Sequence, residues 1–161
     1  MLEYRIGQST DIHQLEESYS LVIGGVNIEH HKGCVAHSDG DILVHAIGES
    51  ILGALCLGDL GTHFSDTDPL NKDRSSLEML EEIYTIMKSE GYIINNIDSL
   101  ILIEEPKMKK YASEMKENIS KILHIDINQI NIKATRGEKI GFVGRKEGVV
   151  AQAVTMLKKD V

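Results

Sequence analysis

Apolar positions along the chain alternate between a period of two and a period of three to four, which separates strands from helices. Residues 4–8 read as a short strand, and residues 19–23 and 26–28 as two more, hinged at Gly24-Gly25 as a hairpin turn. A polar, glycine-containing segment over 32–41 leads into a helix predicted over 42–55. There Asp39 or Asp41 serves as the acidic cap or first-turn residue, Ile42, Ala46, Ile51 and Leu55 carry the apolar spacing, and Gly58 is expected to end the helix. A loop over 58–71 precedes a second helix from Ser75 or Ser76 to Ser89, with Leu77, Leu80, Ile83, Tyr84 and Met87 on one side and Gly91 as the stop.

Residues 97–103 are β-branched and apolar enough for a strand, which runs into Glu104-Glu105-Pro106, where proline ends ladder pairing. A third helix is predicted over 108–123, with Met108, Tyr111, Met115, Ile119 and Ile122 as its buried stripe. Residues 130–134 form another strand. Residues 149–157 also read as strand, because Val and Thr outnumber strong helix formers, with a fourth helix as the alternative. Strands and helices mixed with hairpin-like pairing predict an α+β fold, a mixed β-sheet covered by helices.

The 161 residues, 42% of them hydrophobic, suit a single domain over 1–161 that needs neither disulfides nor structural metal. Cys34 and Cys56 stand alone, away from any C-x-x-C spacing, and read as small packing residues of a protein in a reducing cytoplasm. The start of the chain has no basic n-region or apolar h-region, and no apolar run is long enough to span a bilayer. A bacterial cytoplasmic protein is expected, although a plastid protein trimmed of its transit peptide would read the same way. The formal charge of −8 argues against a nucleic-acid partner. Lys107-Met108-Lys109-Lys110 is the one basic cluster, read as a solvated helix start. An acidic protein that handles a phosphorylated small molecule needs metal ions, aimed backbone amides or Arg side chains to offset the charge.

The candidate chemistry begins with Asp11-Ile12-His13. On a strand, Asp11 and His13 point to the same face, and His45 from the later helix would supply a third ligand. Three protein ligands leave one position of tetrahedral zinc open, the mark of a catalytic rather than a structural site. Glu49, four residues after His45, either accepts the second imidazole N–H and orients the ring or is an exposed helix acid. Ala36-His37-Ser38-Asp39-Gly40-Asp41 precedes that helix, and Asp59-Leu60-Gly61 and Phe64-Ser65-Asp66-Thr67-Asp68-Pro69 follow it. Both ends feed one neighbourhood only if the chain doubles back or subunits meet. Further on, Thr135-Arg136-Gly137-Glu138-Lys139 ends a strand and Gly141-Phe142-Val143-Gly144-Arg145 follows. Arg145 offers a fork of donors suited to phosphate, while a glycine-rich β-turn with a solvent-facing Arg is the commoner explanation. His30-His31 and His124 lack partners at ligand spacing and read as surface residues, and His63 matches no motif.

Taken in order, Arg5-Ile6-Gly7, Asp11-Ile12-His13, Ile23-Gly24-Gly25-Val26, Ala36-His37-Ser38-Asp39-Gly40-Asp41, His45-Ala46, Leu52-Gly53-Ala54 and Leu57-Gly58-Asp59 form the first half of a resemblance. Phe64, Asp66-Thr67-Asp68-Pro69, Pro106-Lys107-Met108, Lys133-Ala134-Thr135, Glu138-Lys139, Gly141-Phe142 and Gly144-Arg145 complete it. Together they resemble the 2-C-methyl-D-erythritol 2,4-cyclodiphosphate synthases over nearly the whole chain. The resemblance implies a homotrimer with active sites between adjacent subunits, acting in the non-mevalonate isoprenoid pathway. It implies zinc on Asp11, His13 and His45, with Asp11, Ile12 and His13 also at the substrate, His37 and Ser38 at its phosphate, and Asp59, Leu60, Gly61, Phe64, Ser65, Asp66, Thr67 and Asp68 lining the methylerythritol pocket. Across the interface, Ile103, Glu104, Glu105, Pro106, Lys107, Met108 and Lys109 would hold the cytosine. Thr135, Arg136, Gly137, Glu138, Phe142 and Arg145 would handle the diphosphate, with Glu138 on a magnesium or manganese ion. His37 and Arg136 stand at the catalytic positions.

Four stretches depart from the family pattern. Gln8-Ser9-Thr10 stands where His-Gly-Phe is usual, Arg136-Gly137 where both residues are typically threonine, Glu104-Glu105 where neutral residues are, and Ser65 where a proline is, which is expected to loosen that loop. These departures keep two alternatives open: a zinc-dependent phosphohydrolase of a nucleoside diphosphate compound, and a non-catalytic trimeric metal- or nucleotide-binding protein.

Overall fold

In the computed structural model, which describes residues 1–160, the first strand is far longer than its apolar pattern suggests: β1 spans Leu2–Glu17. Pairing on its flanks sustains the extended backbone through polar residues. Along most of its length β1 is antiparallel to β7 (Gly148–Asp160), and its end pairs with β4 (Lys32–Cys34), a short strand inside the segment expected to be loop. Side chains of β1 alternate strictly. Gly7, Ser9, Asp11 and His13 face inward, while Ile6, Gln8, Thr10 and Ile12 lie on the opposite, exposed face. Of the Gln8-Ser9-Thr10 departure, only Ser9 therefore reaches the interior.

The hairpin forms as predicted, with β2 (Leu21–Ile23) and β3 (Val26–Ile28) around Gly24 and Gly25, both at positive φ. Helix α1 (Ile42–Leu55) is buried along most of its surface, and Cys56 rather than Gly58 ends it, in a left-handed conformation. Cys56 is an exposed cap and not a packing residue; Cys34 is buried. The loop expected over 58–71 contains the single-turn helix α2 (Leu60–His63). Next come α3 (Ser76–Ser89) and β5 (Ile93–Leu102), which starts four residues before the predicted strand because a bulge between Ile94 and Asn96 breaks its alternation. Helix α4 (Ala112–Leu123) begins after a separate 3₁₀ turn over Met108–Lys110, where one continuous helix is expected. Then β6 (Ile130–Thr135) and α5 (Gly141–Gly144), a helical turn in place of the expected β-turn, lead to β7, which is a strand throughout.

The main sheet has the order β4-β1-β7-β5-β6, with only β5 and β6 parallel. Helix α1 covers its inner face across β1 and β7, α3 packs on α1, and α4 reaches β6. This is a mixed sheet in an α+β arrangement, with the helices on one face.

Two buried features hold α1 in place. At Gly7, an added Cβ would sit 1.8 Å from the Ser50 carbonyl oxygen and 2.5 Å from the Ala54 nitrogen, so only glycine admits the helix this close to β1. The Asp41 carboxylate, fully buried, accepts N–H bonds from Gly24 (2.8 Å), Gly25 (2.6 Å) and Val44 (3.1 Å), joining the hairpin turn to the start of α1. Burial, with Asp39 nearby, pushes its carboxyl up to about 6, against the three donors that favour its charge. Between about pH 4 and that value the folded state holds a proton that the unfolded chain has released, so this group stabilises less as pH rises through the window. Replacing Asp41 by Ala strands two buried donors, Gly24 and Val44, and the half-buried Gly25 N–H. Chemical denaturation should show a loss of about 3 kcal/mol or more, with the deficit larger near pH 4 than at neutral pH.

Candidate active site

The sharp packing of α1 on β1 brings His45 against Asp11 and His13. Asp11 Oδ2 lies 3.2 Å from His13 Nε2 and 3.3 Å from His45 Nδ1, and the two rings meet edge to face with centroids 5.3 Å apart. Burial raises the Asp11 carboxyl, but hydrogen bonds and charge from His13 and His45 outweigh that and hold it well below the usual carboxylate range. His45 is shifted the other way, raised because Asp11 outweighs the burial that lowers it. One carboxylate oxygen and two imidazole nitrogens thus converge within 4.8 Å of one another, a donor set suited to zinc.

The far side of His45 identifies its supporting partners. Its Nε2 is 2.8 Å from Ser76 Oγ and 3.2 Å from Ser38 Oγ, and Ser76 Oγ in turn donates to Asp39, which also accepts from the Ser76 backbone N–H at 3.0 Å. With the Ser76 proton committed to Asp39, the hydroxyl accepts from His45 Nε2–H, so Nδ1, which faces Asp11, is the nitrogen that would give up its proton to bind a metal. Glu49 does not orient His45. It accepts from Ser9 Oγ (2.6 Å) and the Leu60 N–H (3.2 Å), tying β1 to the start of α2. Asp39 is not a cap of α1 but binds the first turn of α3.

The three ligands open onto a cavity of about 350 Å³ that His37, Ser38, Leu60, Gly61, Phe64 and Asp66 also line. A second cavity, of about 510 Å³, is lined by Ile103, Pro106, Lys107, Met108 and Lys109 together with Thr135, Arg136 and Glu138. The two share no lining residue. Both lie at the same end of the sheet, since His13 pairs with Val149, Leu102 with Val150, and Thr135 with Leu102. Three strand spacings, about 14 Å, separate β1 from β6.

Residues 4–158 match the YgbB family. The chain belongs to that family. It is 52% identical over 153 residues to the 2-C-methyl-D-erythritol 2,4-cyclodiphosphate synthase of Clostridioides difficile (strain 630), covering 95% of each chain. Among solved structures, the bifunctional IspDF from Campylobacter jejuni superposes with a TM-score of 0.95 at 39% identity, covering 99% of this chain and 43% of that longer one. A CDP complex of IspF from Plasmodium falciparum gives 0.85 at 35% identity, covering 98% of this chain and 97% of the other.

Within this YgbB chain the expected site residues divide into three groups. Those lining the two cavities are given above; Asn71 and Met79 in the first, and Ala112, Ile132 and Ala134 in the second, were not anticipated. A second group shapes the loops. Asp59 caps α2 through the Thr62 N–H, Asp68 accepts from the Leu70 N–H, and Ser65 Oγ accepts from the Thr67 N–H, a bond that the proline usual there could not make. A third group points elsewhere. Ile12 lies on the outer sheet face, Phe142 packs beside Gly148, and the exposed Arg145 forks onto Glu147 at 2.9 and 3.2 Å.

His30 and His31 have a partner that spacing could not show, because Glu105 arrives from a distant loop and all three ligand atoms fall within 4.8 Å. The Lys146 ammonium, 3.0 Å from Glu105, already fills the cationic position beside that carboxylate. His124 is exposed, as expected, and caps α4 beside Tyr84.

Ser76 was visible in the sequence only as a helix start; its contact with His45 spans 31 positions. Replacing Ser76 by Ala should weaken zinc binding by roughly 10- to 100-fold, measured by competition with a chromophoric chelator.

Proposed function

We propose that this chain converts 4-diphosphocytidyl-2-C-methyl-D-erythritol 2-phosphate to 2-C-methyl-D-erythritol 2,4-cyclodiphosphate and CMP, as one synthase domain working in a cytoplasmic homotrimer. The observation that carries the shared-site reading is the pair of cavities with no residue in common, one holding the Asp11–His13–His45 donors and the other Arg136 and Glu138. A neighbouring subunit that set one cavity against the other would complete a single site. The outer sheet face supports such association, since Ile6 (64% exposed) and Ile12 (58%) lie uncovered on it. Among the described residues no helix is long and apolar enough to cross a membrane.

The reaction needs no protein nucleophile. An oxygen of the 2-phosphate attacks the β-phosphorus of the same molecule, a new P–O bond closes the eight-membered ring, and the P–O bond to CMP breaks. The two phosphates repel each other, so the chain must fold the substrate and hold the reacting atoms in line. Zinc on Asp11, His13 and His45, and magnesium or manganese at Glu138, would supply polarisation of phosphoryl oxygens and neutralisation of the diphosphate. Lys107 and Lys109 offer positive charge around the nucleotide, and Arg136 a donor fork toward the diphosphate. Asp39 and Ser76 keep His45 in its tautomer, while His37 and Ser38 present donors at the phosphate.

Phosphorus NMR of the protein with substrate, zinc and magnesium should show CMP appearing together with a cyclic diphosphate. A linear diphosphate would instead identify a hydrolase. His45→Ala should lose zinc and cyclisation together. Mixing His45→Ala with Glu138→Gln subunits should restore about a quarter of wild-type turnover, since random trimers pair an intact half of each cavity at that frequency. A site contained within one chain would restore none.

A further inference from the structure

The segment that leaves β5 carries two adjacent carboxylates, and only one of them faces the loop after β6. Glu104 Oε2 accepts the Gly137 N–H at 2.9 Å and Glu104 Oε1 accepts the Lys139 N–H at 3.3 Å. Neither oxygen lines the nucleotide-side cavity, although the neighbours Ile103 and Pro106 do.

The loop so held is tightly wound. Glu138 and Lys139 both have left-handed backbone, at φ 51° and 63°, a conformation L side chains adopt reluctantly. The Ile140 N–H bonds back to the Gly137 carbonyl at 2.9 Å, and the Gly144 N–H bonds to the Ile140 carbonyl at 3.0 Å. At Gly137 a Cβ would stand 2.5 Å from the Gly144 nitrogen, and at Gly144 a Cβ would stand 2.3 Å from the Lys139 carbonyl carbon, so the loop closes on itself where two glycines meet. The wound backbone turns the Gly137 and Lys139 N–H groups toward the same side, and the Glu104 carboxylate bridges them. The residues between the two donors, and the one before them, are those that face the cavity: Arg136 and Glu138.

We propose that Glu104 is a positioning residue for the reaction: its carboxylate, seated on the Gly137 and Lys139 amides, fixes the loop that aims Arg136 and Glu138 into the cavity. This rests on the synthase reading above. The nucleotide-side segment and the diphosphate-side loop are then one rigid unit, coupled by a carboxylate that touches no substrate. Here Arg136, Glu138 and Lys139 are all exposed, and nothing else in the described contacts holds the Lys139 amide.

The test uses the intact enzyme and three variants: Glu104→Ala, Glu104→Gln and Gly137→Ala. Glu104→Ala should lower kcat on the order of ten- to a hundredfold and raise the magnesium concentration needed for half-maximal turnover, while CMP affinity by calorimetry stays within about twofold. Glu104→Gln, which keeps one acceptor oxygen, should fall between Ala and wild type. Gly137→Ala, which wedges the same loop from the other side, should reproduce the pattern. Hydrogen–deuterium exchange over residues 136–140 should speed up in Glu104→Ala, and this readout does not depend on which product the enzyme makes. Unchanged exchange would overturn the proposal whatever the activity. A fall in CMP affinity matching the fall in kcat would make Glu104 a nucleotide-pocket residue instead. Higher activity in Glu104→Ala would overturn it too, and would mean that the carboxylate occupies loop amides meant for the diphosphate. If the wild type yields no cyclic product, the synthase reading fails while the exchange data still decide the role of Glu104.

Discussion

The closeness of α1 to β1 is the constraint on which the site depends. A helix normally stands off a sheet by the length of its side chains, yet at Gly7 the strand offers none, and the Ser50 carbonyl and Ala54 amide settle almost onto the strand backbone. Two buried hydroxyls secure the same contact from β7: Ser50 Oγ and Thr155 Oγ1 lie 2.6 Å apart. One turn and a half further up the helix, His45 therefore arrives at hydrogen-bonding distance from an aspartate on the strand. Were α1 to ride higher, Asp11 and His13 would still share a face of β1, but the third donor would be out of reach.

A second layer of buried polar contacts fixes the helix against rotation. Asp41 anchors its first turn to the β2–β3 hairpin, and Glu49 links its middle to Ser9 on one side and to the α2 backbone on the other. Asp39 and Ser76 close the arrangement by joining the loop before α1 to the start of α3, directly behind His45. Backbone bonds from Asp39 to Arg74 and from Asp73 to His37 zip the same two segments together. His45 is thus backed by a carboxylate and hydroxyls that are themselves satisfied, the condition under which buried polar groups rigidify a site, whereas the buried His13 Nδ1 has no hydrogen-bond partner among the described residues.

The opposite half of the chemistry is organised differently. Around Arg136 and Glu138 the side chains are exposed, and order comes from backbone: a glycine with no room for a Cβ, two left-handed residues, and a carboxylate from the neighbouring segment. Glu104-Glu105, the departure that would bring charge toward a nucleotide, turns both acids away from the cavity, one onto loop amides and one onto Lys146. The Arg136-Gly137 departure is part of the same structure, since Gly137 supplies one of the amides that Glu104 binds.

Much of this protein was readable from local pattern alone. Helical spacing set α1, α3 and the body of α4, Gly24-Gly25 marked the hairpin, and the two-residue separation of Asp11 and His13 placed both on one strand face, because these features depend only on neighbours within a turn or a pleat. The strand ends of β1 and β5, the short β4 and the break before α4 were not readable, since pairing partners far along the chain extend polar residues into strands and a bulge hides the alternation. The partners of His45 illustrate the limit most clearly: Glu49 has the right helical spacing but turns to Ser9, while Ser76 and Asp39 have no local signature and reach the ring only because α3 packs on α1. Sequence determined which side chains could bind a metal or a phosphate. Tertiary structure decided which of them meet, because hydrogen bonds across tens of residues form only after the sheet and helices have packed.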